Sequence, residues 1–123
     1  MNEKTLMTTP IPELVDQFAE ACLVQGKSIL YDELATYKKA YCRMDDLQKE
    51  LRRRGQAARL ALTKLYVHPN IQVRLQAAMF TLAVAPREAR QVIEWIAQSG
   101  LMPQAADARG TLRDLDDGSY KPD

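Results

Sequence analysis

Glycine and proline divide this chain so regularly that they leave room for little except a series of short helices. Gly26, Gly55, Gly100 and Gly118 each follow an apolar pattern of helical period, where a residue free to take a left-handed backbone can close the last turn. Pro12, Pro86 and Pro103 each open such a pattern, at a position where the missing N–H costs nothing. Pro69 sits in the turn His68-Pro69-Asn70, just ahead of another. No proline falls within a predicted helix, and β-branched residues never alternate over the length of a strand. The expected fold class is therefore all-α.

Six helices are expected between these marks. The first runs from about Pro12 to Gln25, with Leu14, Val15, Phe18 and Cys22 on one face. The second is long, from about Ser28 to Arg54, and its Leu30, Leu34, Tyr37, Tyr41, Met44, Leu47 and Leu51 advance with the period of a helix-pair seam. The third takes Gln56 to Val67, and the fourth starts after Asn70, a good N-cap, with Val73, Ala77, Ala78 and Leu82 inward. The fifth, Pro86 to Ser99, presents Val92, Ile93, Trp95 and Ile96; the sixth, Pro103 to about Asp116, presents Ala105, Ala106, Ala108, Leu112 and Leu115. A single domain over residues 1–123 follows: a helix pair (12–54), two stacked hairpins (56–117) and a tail (118–123) docked at most by Tyr120. With 46% hydrophobic residues, a chain of 123 can bury a core without disulfide or metal staples.

An offset of 33 residues lays the fourth helix on the sixth, pairing Val73 with Ala106, Ala77 with Gly110 and Leu82 with Leu115, and on the preceding helices it pairs Leu60 with Ile93. Small residues at Ala77, Ala78, Ala106 and Gly110 are what close stacking of hairpins requires, which is the expected reason for a glycine inside the last helix. The stretch from His68 to Pro86, with Val73-Arg74, Ala77-Ala78 and Leu82, resembles the second half of a HEAT repeat. More broadly, Leu14-Val15, Arg43-Met44-Asp45, Val73-Arg74 and the closing Asp117-Gly118 and Lys121-Pro122 make the chain similar to a family of small bacterial domains of unknown function. The resemblance implies an armadillo/HEAT-like stack of helical hairpins and brings no catalytic residues with it.

Nothing in the sequence assembles a reaction centre, so no enzyme, cofactor or metal is expected. His68 is the only histidine and its setting suits a turn. Cys42 lies between Tyr41 and Arg43 but has no histidine base nearby in sequence, and it is expected to be buried or inert. Asp45-Asp46 and Asp114, Asp116 and Asp117 read as solvated charge, with Asp45 four residues before a natural partner in Lys49. No phosphate-binding glycine loop, HExxH, GxSxG or EF-hand pattern occurs. Cys22 and Cys42 are not closely spaced, neither Met1 to Pro10 (with Glu3 and Lys4) nor any other stretch has signal-peptide or membrane-spanning character, and the expected setting is the cytoplasm.

Net charge is +1, but residues 26–67 hold ten bases and five acids. Arg52-Arg53-Arg54 is the densest basic run; it suits a helix C-terminus, with Glu50 placed to pair with Arg54, and it is also the candidate contact for an acidic partner. Tyr37 and Tyr41 are either part of the seam or a partner-binding face. The expected function is a non-enzymatic protein-interaction module, for instance one that neutralises or adapts a bacterial partner protein, with self-association through the second helix as one form. The alternative is nucleic-acid or phosphate-ligand binding around Arg52–Arg54, which is not favoured because the basic excess is mild.

Overall fold

The computed structural model describes residues 3–123 without the side chains of Glu3 and Lys4, so the charged pair read near the start of the sequence lies outside the described side chains. Among the described residues there is no strand. The elements are α1 (Glu3–Thr8), α2 (Ile11–Leu30), α3 (Leu34–Arg53), α4 (Gln56–Leu60), a 3-10 segment (Ala61–Val67), α5 (Ile71–Thr81), α6 (Pro86–Ser99) and α7 (Gln104–Asp117). They form two compact units, Met1–Leu62 and Thr63–Asp123.

In the first unit α2 packs along α3. Leu14, Val15, Phe18, Ala21, Cys22, Gln25 and Ser28 recur at helical spacing along the buried face of α2, and Ala40, Met44, Leu47 and Leu51 do the same on α3. Phe18, Leu14, Met44, Leu47 and Leu51 are fully sealed, each worth about 1.5–3 kcal/mol of burial.

The expected break at Gly26 does not occur. α2 runs through it to Leu30: beyond the glycine Ser28 is still buried, its hydroxyl donating to the Val24 carbonyl at 2.8 Å, Ile29 is half-buried, and one interior glycine costs only about 1 kcal/mol. The helix stops at Asp32, which takes a left-handed backbone (φ 55°). There the Glu33 N–H donates to the Ser28 carbonyl at 2.8 Å and the Asp32 N–H to the Ile29 carbonyl at 3.3 Å, a Schellman closure with aspartate in the usual glycine position. The second expected helix is therefore shorter than its sequence pattern suggested: α3 has 20 residues, as many as α2.

Two further boundaries differ from expectation. α1 precedes the first helix read from the sequence, and the third expected helix splits into α4 and the 3-10 segment. The 3-10 segment leads into the His68-Pro69-Asn70 turn, where proline cannot continue an α-helix, and tight 3-10 turns are frequent at such C-terminal ends.

In the second unit α6 packs against both α5 and α7. Leu75, Ala78, Ala89, Ile93, Ile96 and Ala108 make the centre, with Tyr120 of the tail packed on it and its N–H donating to the Asp114 carbonyl at 3.1 Å. Asn70 caps α5 as its position predicts, accepting from the Gln72 and Val73 N–H groups at 2.9 and 3.2 Å. Gly100 and Gly118 close α6 and α7 with φ of 74° and 81°. Gly110 is not a close-packing glycine: an added Cβ would meet only the Arg113 guanidinium at 3.7 Å, and Ala106 beside it faces solvent. Trp95 also departs from its expected inward position and is 52% exposed.

Candidate functional site

The basic run at the end of α3 is built around a buried acid. Glu50 is 7% exposed, and Arg53 grips it with both arms, Nε to Oε1 at 3.0 Å and Nη2 to Oε2 at 2.7 Å. Arg54 adds Nε to Oε2 at 2.6 Å, the pairing its spacing predicts, and its Nη2 donates to the Leu6 and Met7 carbonyls at 2.7 and 3.2 Å. Those carbonyls lie in the last turn of α1, the Leu6 carbonyl also accepting the Thr9 N–H at 3.2 Å, and Arg54 thereby ties the short helix to the end of α3. The hydrogen bonds from Arg53, and then those from Arg54, hold the Glu50 carboxyl down at about 2 despite its burial. Arg52 is exposed.

Arginine closes a helical segment in two other places. Arg74 Nε donates to the Tyr66 carbonyl at 2.8 Å, at the end of the 3-10 segment, and Arg109 Nε to the Ala97 carbonyl at 3.1 Å, at the end of α6. The Arg74 guanidinium also lies 4.7 Å from the centre of the Trp95 ring, so the exposed indole has a cation on its face. Nothing in the sequence local to Arg74 signals the tryptophan twenty-one residues further on.

The residues inspected for chemistry are spread out. His68 accepts the Asn70 N–H on Nδ1 at 3.0 Å and stays a turn residue. Asp45 pairs with Lys49 at 2.9 Å, and Asp116 with Arg90 at 2.9 Å. Both cysteines are free; Cys22 is buried, which pushes its thiol well above the usual range, whereas Cys42 is exposed rather than buried. Among the described residues no three His, Cys, Asp or Glu side chains gather as a metal would need.

What remains outward is concentrated on the α2–α3 hairpin. Leu23, Val24, Leu30, Tyr31, Leu34 and Tyr41 are all at least 40% exposed. Tyr41 is one residue past buried Ala40, about 100° round the helix, and so leaves the seam, while Tyr37 stays half-buried on it. Lys38, Lys39 and Arg43 are exposed beside them and form no ion pair among the described residues.

Residues 12–116 match the family described as Domain of unknown function (DUF2019). The chain belongs to the DUF2019 family. Its fold is also that of the protein RPA1889 from Rhodopseudomonas palustris CGA009, known from a crystal structure: the two are 40% identical, with a TM-score of 0.92 over 96% of this chain and 98% of that one. No curated protein matches this DUF2019 chain. No described helix is long and apolar enough to cross a membrane.

Sequence reasoning placed the basic signal at Arg52, Arg53 and Arg54, where two of the three guanidiniums are held by Glu50. The cations it passed over carry a readable mark. Lys38 and Lys39 have no acid three or four residues away on either side, whereas Arg53 and Arg54 both have Glu50 at that distance.

Proposed function

We propose that this DUF2019 chain is a non-enzymatic protein-interaction module that docks an acidic, partly apolar protein surface on its α2–α3 hairpin. The observation that carries the reading is the placement of six of the eleven large apolar side chains exposed among the described residues on this one hairpin. The unpaired Lys38, Lys39 and Arg43 beside them supply charge for steering and register. Nucleic-acid binding around Arg52–Arg54 is the weaker alternative, because Glu50 already takes up two of those charges. The reading includes an armadillo/HEAT-like stacking of the helices, supported by the succession of α5, α6 and α7 and by Asn70 and Arg74 at the start of α5. It also includes a cytoplasmic setting, in keeping with two free cysteines.

The test compares the parent with a Leu30→Ser, Leu34→Ser variant, both of whose sites are more than 60% exposed. A partner captured by the parent at physiological salt, then purified, should bind the variant at least about tenfold more weakly, as loss of about 1.4 kcal/mol implies. Equal binding by both proteins, a partner that proves to be DNA or RNA, or a strictly monomeric parent with no partner would defeat the reading. Self-association abolished by the same substitutions would identify the partner as a second copy.

A further inference from the structure

A cleft of about 360 Å³ opens in the first unit, walled by α1, α2 and α3. That volume lies at the small end of ligand sites, which run from about 300 to 1,000 Å³. Its lining is mainly apolar, with Leu6 of α1 on one wall and Leu47, 1% exposed, at the base. At the rim stand Lys38, Lys39 and Arg43, none of them neutralised by an ion pair among the described residues, against a single carboxylate, Asp46. On the α2 side the amide oxygen of Gln17 is buried without a hydrogen-bond partner.

We propose that this cleft is a binding site for a small amphipathic anion, its carboxylate or phosphate head drawn to Lys38, Lys39 and Arg43 and its apolar body laid against Leu6 and Leu47. Three cations against one carboxylate reject a cationic head, and the apolar wall rejects a bare inorganic ion, so charge and shape select the same class. The inference shares Lys38, Lys39 and Arg43 with the docking reading but needs no protein partner, and the probes below test it whatever the docking experiment gives.

Cys42 lines the cleft and is exposed, whereas Cys22 is buried, so alkylation by iodoacetamide followed by mass reports on this place in the folded chain. Octanoate and octyl phosphate serve as probes, with octyltrimethylammonium as the control of opposite charge and similar body. At about ten times the dissociation constant the anions should slow Cys42 alkylation about tenfold, while the cation leaves it unchanged. Comparing the two anions tells carboxylate from phosphate preference. A Lys39→Glu, Arg43→Glu variant should lose the protection, each protein being compared with itself with and without probe. Asp46→Asn should bind the anions more tightly, a gain that damaged folding cannot produce. Equal protection by the cation, no protection by either anion, or weaker anion binding by Asp46→Asn would each overturn the proposal.

Discussion

Lys38, Lys39 and Arg43 in the first half of α3 and Arg52, Arg53 and Arg54 at its end are two groups of three cations on one stretch of chain, and their fates differ. At the end of the helix Glu50 sits three and four residues before Arg53 and Arg54, and the charges close on it and on the carbonyls of α1. In the first half no acid stands at that distance from Lys38 or Lys39, and the ammonium groups stay at the surface. The denser run is thus the more structural one. What decides whether a basic cluster is available to a partner is the spacing of acids around it rather than the number of bases in it.

The sharpest way to break this contrast is Glu50→Gln, which leaves Arg53 and Arg54 without their shared carboxylate beside a buried amide. It should cost about 2–3 kcal/mol in urea denaturation at neutral pH. Lys39→Gln, by contrast, should stay within about 0.5 kcal/mol of the parent; equal losses would mean that both groups are structural. A pH series refines the same comparison. The Glu50 carboxyl is depressed from 4.5 to about 2 in the folded chain, so its contribution is complete above pH 4.5 and fades as pH falls toward 2. The stability gap between parent and Glu50→Gln should narrow over that window, and a gap constant down to pH 2 would remove Glu50 ionisation as its source. The smallest effect is expected at the turn before the free cations. Asp32→Gly relaxes a left-handed aspartate and should raise stability by about 0.5 kcal/mol in the same assay. A loss there would show that the aspartate side chain itself helps to hold the hairpin.

Helix content was legible because apolar period and punctuation agree over most of the chain: Gly55, Gly100 and Gly118 stand at positive φ beside helix ends, and Asn70 caps α5. Gly26 misled because one glycine is a weak stop when the residues after it still find a buried face, and Asp32 is a rarer form of the same signal. Trp95 falls at helical spacing beside Ile93 and Ile96, and only its partner across the unit, Arg74, accounts for its outward position. The Glu50–Arg54 pair was readable from local spacing, but the reach of Arg54 to Leu6 and Met7 spans almost fifty residues, beyond any local pattern. Of the candidate site, Tyr41 was open to either reading, seam or surface, and the exposed Lys38 and Lys39 are marked in the sequence only by the absence of acids three or four residues away.

One contact inside the second unit sets a mechanical limit. Gln104 Nε2 donates to Gln72 Oε1 at 2.9 Å, linking α7 to α5, with both side chains under 8% exposed. Leucine and alanine surfaces tolerate sliding, since one greasy contact replaces another. Two amides do not: displacing α7 by a turn, about 5.4 Å, strands both heads in an oily interior at about 1–3 kcal/mol apiece. The pair acts as a detent that fixes where the last helix comes to rest along its neighbour.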